Sequence, residues 1–269
     1  MSGATAPDPV RRLYEATPFP SLGDVETREA GLRSMLANCF GVDPASLQGA
    51  TLLDAGCGTG EYSAAWRRIV GERGRVVGLD LSMSSLVRAR RLGEGHGQWV
   101  EGSVLAPPVR GPFDVVWSSG VLHHTGRPHE GARALSALVR PGGHLIVGLY
   151  HPWGRWRLRW ARASLRMLHR SGTKAYREGA RAWLRAFRPD WTSQAMEAHV
   201  IDQFEHVRES HHTVRELRGW MDAASWEWLG VSPLVTRRGK PGWLRALRAD
   251  ATLGRVEGYM FRVAWRRRG

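Results

Sequence analysis

The spacing of apolar positions along the chain changes period several times, and each change predicts an element. Thr51 to Ala55 (TLLDA) is a short apolar run that stops at a glycine, as a strand buried on both faces should. From Glu61 the period lengthens. Apolar or small residues at Tyr62, Ala65, Trp66, Ile69 and Val70 recur at helical spacing, which predicts a helix packed back on that strand. Val76, Val77, Gly78 and Leu79 then form a second apolar run that ends at Asp80. Beyond Trp153 the helical period returns with a basic rather than an apolar stripe. Arg155, Arg159, Arg162, Arg166 and Arg170 recur every three or four residues, and after a Ser-Gly-Thr break Lys174, Arg177, Arg181, Arg185 and Arg188 do the same. Near the end, Thr213 with Glu216 three residues later marks the start of a last helix, TVRELRGWMDAA. WEWLGVSPLV and VEGYMFRVAWRR follow as strands.

Between the first strand and the first helix lies the turn LLDAGCGTG. Gly56, Gly58 and Gly60 are open to backbone angles closed to other residues, and they leave no side chain between the main chain and a ligand. A strand-ending acid in the next βα unit suits ribose hydroxyls, and Asp80 lies twenty residues past Gly60. The dinucleotide fingerprint places its third glycine one position later, so D-x-G-x-G-x-G points away from a pyrophosphate. The pattern resembles the class I S-adenosylmethionine-dependent methyltransferases, whose first motif is an acid followed by G-x-G-x-G.

VEGSVLAPPVRGPFDVVWSSGVLHHT resembles the third and fourth elements of that family. LVRPGGHLIVGLY resembles the helix end, turn and fifth strand that follow, so the likeness spans residues 49–150. It implies an α/β fold: a Rossmann-like seven-stranded, mostly parallel sheet with helices on both faces, an N-terminal cap and a helical lid inserted after the fifth strand. The expected units are a cap over 1–48, a cofactor-binding core over 49–150, a basic Trp-rich lid over 151–212, and a final helix and antiparallel strands over 213–269. The resemblance implies S-adenosyl-L-methionine as cofactor, with S-adenosyl-L-homocysteine as product. Asp54 is expected near the ammonium of the cofactor and Asp80 on the ribose. Gly56, Cys57, Gly58, Gly60, Leu81, Ser103, Val104 and Ser119 are expected along the cofactor. Where the family often has an acid for the adenine amino group, this chain has Ser103 and Val104. In VRRLYEATPFPSLGD, Tyr14 and Phe19 are expected over the cofactor, beside a turn at Pro18 and Pro20.

Charge changes the picture on the acceptor side. Residues 1–150 hold 15 basic and 14 acidic side chains, whereas residues 151–269 hold 24 and 11. Three readings of the basic stripes stay open: a solvated lid, an anion-binding or membrane-surface face, and a nucleic-acid footprint without a recognisable module. In DQFEHVRESHHT, Asp202, His206, Glu209 and His212 have a spacing that metal ligands on one helix face could adopt. The cap at Thr213 breaks that helix, and no metal is expected.

Methyl transfer is an in-line displacement that needs alignment, a dry pocket and, for a hydroxyl or ammonium acceptor, a base. His124 at the fourth strand's end is the first candidate, His206 from the lid the second, and Tyr150 at the end of the fifth strand a third. The expected function is methyl transfer to a small or amphiphilic metabolite, which an anionic group could mark. A nucleic-acid or protein methyltransferase and a non-catalytic cofactor-binding regulator are the alternatives. Two cysteines, Cys39 and Cys57, no apolar leader in MSGATAPDPV and no apolar run of membrane-spanning length lead us to expect a protein of the reducing cytoplasm.

Overall fold

The computed structural model describes residues 9–16, 24–94, 96–233, 242–253 and 260–269. Helices α1 (Pro9–Ala16) and α2 (Val25–Ser34) precede the sheet, and α2 runs on into a π-helical turn, Met35–Phe40. Strand β1 (Thr51–Ala55) leads through the glycine turn to α3 (Glu61–Val70), β2 (Arg75–Asp80) and α4 (Met83–Leu92). Next come β3 (Gln98–Glu101), β4 (Phe113–Ser119), α5 (Pro128–Ser136) and β5 (Val139–Tyr150). With β6 (Trp226–Ser232) and β7 (Met260–Arg267) the seven-stranded sheet has the order β3-β2-β1-β4-β5-β7-β6. β1 to β5 pair in parallel, and β7 is antiparallel to both β5 and β6.

Burial on both faces explains why the inner strands read as unbroken apolar runs. Leu53, Val116 and Leu145 pack with α5, α9 (Val214–Arg218) and α10 (Gly242–Leu253), while Leu52, Val115 and Ile146 pack on the other side with α2 and α3. Alternate residues of one strand therefore feed two separate cores.

Between β5 and α9 lie α6 (Trp156–Leu168), α7 (Lys174–Phe187), α8 (Ser193–Val200) and a π-helical turn, Ile201–Glu205. They close a small core of their own around Leu158, Tyr176, Leu184, Val200 and Phe204. Each has its stop or start in the sequence. Thr173 and Thr192 cap α7 and α8 by accepting from Tyr176 N and Ala195 N.

Three details differ from the sequence expectation. Thr213 caps α9 by accepting from Glu216 N, but α9 stops at Arg218, before Gly219. Helix α10 stands between β6 and β7, where only a hairpin was expected; among its described side chains the buried ones are Ala246, Ala249 and Asp250, too weak an apolar signal to read from sequence. The basic stripe of α6 is also split. The Arg155 side chain is 2 % exposed and ion-paired with Glu209 at 3.0 Å, and Arg162 reaches the same carboxylate at 3.5 Å. Arg159, Arg166 and Arg170 face solvent. The turn expected at Pro18, Phe19 and Pro20 lies outside the described residues.

Candidate active site

The glycine turn is tied to β2 as well as to its own helix, where the Gly60 carbonyl accepts from Ala64 N at 2.9 Å. Gly56 N and Cys57 N both donate to the Leu79 carbonyl, at 2.6 and 3.0 Å, and Gly58 N donates to Asp80 Oδ2 at 2.8 Å. The other Asp80 oxygen accepts from Ser82 N at 2.9 Å, and Ser82, not Asp80, caps α4. Asp80 is thus fixed across two loops, and burial raises its pKa against those three backbone donors, Ser82, Gly58 and Leu81. The glycines differ in what surrounds them. A Cβ on Gly60 (φ +91°) would sit 2.8 Å from Ala89 Cβ of α4, whereas a Cβ on Gly58 (φ +54°) would meet nothing within 4 Å among the described residues. Gly60 permits close helix packing, and Gly58 faces open space.

That space is a cavity of about 360 Å³, within the usual range for small-molecule sites. Gly56, Cys57, Gly58, Asp80, Leu81, Ser103, Val104, Ser119, Tyr14, Tyr150 and His124 line it, as do Asp202, Tyr62, Arg28 and Arg262. Asp54, Gly60 and His206 are not in the lining. Asp54 accepts from Ser63 Oγ of α3 at 2.6 Å, and burial raises its pKa to about 7. Cys57 and Cys39 are buried free thiols.

One end of the cavity suits hydroxyl groups, because the Asp80 carboxylate can only accept hydrogen bonds there when ionised. Nearby, Ser103 Oγ accepts from Leu105 N at 3.2 Å. Another part is cationic. The Arg28 guanidinium lies 4.7 Å from the Tyr62 ring, and Arg262 donates to Tyr62 Oη at 3.1 Å and to Ser119 Oγ at 3.0 Å. Two guanidiniums in one lining suit a carboxylate. The cap is moored beside Asp80, because Glu15 accepts from Met83 N at 2.7 Å and Ser82 Oγ donates to the Tyr14 carbonyl at 3.3 Å, which places Tyr14 over the start of α4.

His124 and Tyr150 of the lining belong to a column of rings that continues behind the cavity surface. His206 stacks on His124 at 3.6 Å, His123 lies 4.0 Å from His124, and Tyr150 lies 4.3 Å from His123, with the Arg155 guanidinium 3.8 Å from the Tyr150 ring. The backbone of Arg208 sets two tautomers in this column. Its carbonyl is 2.7 Å from His124 Nδ1, so that nitrogen carries the proton, while its N–H donates to His206 Nδ1 at 3.1 Å. His124 therefore keeps a lone pair on Nε2, and burial lowers its pKa to about 4. His206 stands behind it with its Nε2–H buried and without a hydrogen-bond partner among the described residues, and its pKa is likewise lowered to about 4 by burial. Burial raises the Tyr14 and Tyr150 pKa values, which keeps both phenols protonated.

Asp202 enters the lining from the lid's π-helical turn, and burial raises its pKa although Arg155 opposes the shift. Glu209 behaves oppositely: burial would raise it, but His211, Arg155 and Arg162 hold it well below the carboxylate range. Among the described residues no group of three or more His, Cys, Asp or Glu is arranged to hold a metal. Arg28, Tyr62 and Arg262 carry no site motif in the sequence, and Asp202 stands there only in a ligand-like spacing.

Residues 53–147 match the family described as "Methyltransferase domain". Over 85 % of its length the chain is 28 % identical to an uncharacterized protein of Synechococcus sp., spanning 62 % of that relative. Over 39 % of its length it is 36 % identical to a 2-phytyl-1,4-naphtoquinone methyltransferase of Thermosynechococcus vestitus, spanning 48 % of it. The chain thus spans less than two thirds of either relative. The fold is similar to that of PKMT2 from Rickettsia typhi, with a TM-score of 0.67 at 14 % identity over 92 % of this chain and 54 % of that one.

Proposed function

We propose that this chain, whose residues 53–147 form a methyltransferase domain of the class I, Rossmann-like kind, moves a methyl group from S-adenosyl-L-methionine to a small or amphiphilic acceptor. One observation carries the reading: a single cavity is lined both by the glycine turn with Asp80 and by His124, Tyr150 and Asp202. In this reading the nucleoside lies against Gly58, Leu81, Ser103 and Val104, its ribose on Asp80, and its carboxylate toward Arg28 and Arg262. The bound cofactor supplies an electrophilic methyl group on a sulfonium.

The chain's own residues then align and deprotonate the acceptor. His124 Nε2 is the base, since Nδ1 is committed to the Arg208 carbonyl. Tyr14 and Tyr150 offer neutral hydroxyls and exclude water, and Asp202 receives a hydrogen bond from an acceptor hydroxyl. The naphtoquinone-methylating relative favours a ring-bearing, greasy acceptor, which the aromatic wall suits.

His124→Ala is expected to lower turnover about 100-fold to 10,000-fold, the usual worth of a positioned base, while S-adenosylhomocysteine affinity measured by calorimetry stays within about threefold. Unchanged turnover would remove His124 from the reaction. A base with a pKa of about 4 also predicts where activity is lost. His124 is neutral above that value, so the acid limb of turnover should fall near pH 4 and not near 6.5, the ordinary value for histidine. NMR of His124 should show no imidazolium at pH 5.5; a protonated ring there would contradict the assignment.

A further inference from the structure

The lid has an outer surface that methyl transfer does not use. On α6, Trp156, Trp160, Ala163 and Met167 follow one another at intervals of four, three and four residues, which places them on one helical stripe. That stripe faces solvent. Trp160 is 69 % exposed and Met167 87 %, with Leu168 at 74 % and Trp153 at 64 % beside them. The patch continues onto α7 through Arg157, whose guanidinium lies 5.8 Å from the Trp156 ring and 5.3 Å from that of Phe187. Exposed Arg159 and Arg166 flank the stripe. Between Glu130 and Glu178 the sequence has no acidic residue, so nothing within α6 neutralises this rim.

An apolar stripe with a cationic rim and no carboxylate of its own is complementary to one kind of surface, a hydrocarbon layer beneath negative headgroups. We propose that the outer face of α6 docks on an anionic lipid bilayer, with the tryptophans at headgroup level and Met167 and Leu168 below it. The helix lies on the membrane and does not cross it; among the described residues no helix is long and apolar enough to span one. A second copy of the chain fits the same face poorly, because it would press two arginine rims together. Single-stranded nucleic acid would satisfy the arginines and could stack on the tryptophans, but it has no place for Met167 and Leu168. The inner side of the same lid carries Asp202 into the cavity, so docking would hold the acceptor site close to lipid. The docking itself does not depend on which reaction the cavity performs.

Co-sedimentation of the full chain with vesicles tests this directly. At low salt, binding to phosphatidylglycerol-containing vesicles should be at least about tenfold stronger than to pure phosphatidylcholine, and should weaken as salt rises. Trp160→Glu combined with Met167→Glu should cut that binding at least about tenfold, with melting temperature and S-adenosylhomocysteine affinity unchanged, since both side chains already face water. Arg159→Gln with Arg166→Gln should abolish the preference for anionic lipid. Equal binding to neutral vesicles, no binding to either, or indifference to the Trp160 and Met167 changes would overturn the proposal. So would an RNA oligonucleotide bound in place of the vesicles with the same dependence on these residues.

Discussion

Asp80→Ala should weaken binding of S-adenosylmethionine and S-adenosylhomocysteine by at least about 100-fold in calorimetry. The magnitude follows from two losses at one site. The ionised carboxylate is worth about 1.5 to 3 kcal/mol for each hydrogen bond it accepts from a ligand hydroxyl, and a ribose offers two. The same carboxylate also accepts from Gly58 N and Ser82 N, so its removal loosens the turn along which the cofactor is proposed to lie. Asp80→Asn separates the two. It keeps one acceptor oxygen but replaces the other with a donor that must confront either Gly58 N–H or Ser82 N–H, so it should also bind poorly while melting closer to the parent. Undiminished affinity in Asp80→Ala would place the nucleoside elsewhere in the cavity.

Two single-methyl insertions in the same turn should separate packing from binding. Gly60→Ala puts a Cβ 2.8 Å from Ala89 Cβ and 2.9 Å from Ala89 Cα, at a φ of +91° that side chains rarely adopt. Backbone strain and overpacking each cost on the order of 1 to 3 kcal/mol, so we expect a loss of about 2 to 6 kcal/mol in denaturant unfolding. Gly58→Ala meets no atom of the described residues within 4 Å and has a φ of +54°, in the left-handed region. It should cost only about 1 kcal/mol in stability. Its methyl group would instead stand in the cavity, and cofactor affinity should fall at least about tenfold. If the two substitutions destabilise equally, or if Gly58→Ala binds normally, the assignment of Gly60 to packing and Gly58 to the ligand fails.

Much of the sheet was legible because parallel strands buried on both faces leave apolar runs that end in glycine or an acid, as TLLDAG and VVGLD do. The strand-end residues were legible for the same reason: Asp80, Ser119, His124 and Tyr150 are the residues the strand ends or the turns after them deliver to the cavity. Residues brought in from far along the chain left no local mark. Arg28 comes from α2, Tyr62 from the first turn of α3 and Asp202 from a π-helical turn in the lid. Arg262 alone left a trace, since alternation in β7 gives Phe261, Val263 and Trp265 one face and sets the arginine on the other, opposite Gly148 of β5. The arginine spacing of α6 could not reveal that Arg155 and Arg162 turn inward. Their partner, Glu209, lies beyond two further helices.

The most direct test of the whole account is a crystal structure of the full chain with S-adenosylhomocysteine bound. Ribose hydroxyls are expected on Asp80, the amino acid carboxylate near Arg28 and Arg262, and the sulfur facing the space between His124, Tyr150 and Asp202. A sulfur turned toward bulk solvent, or a nucleoside lodged away from the Gly58 turn, would contradict it.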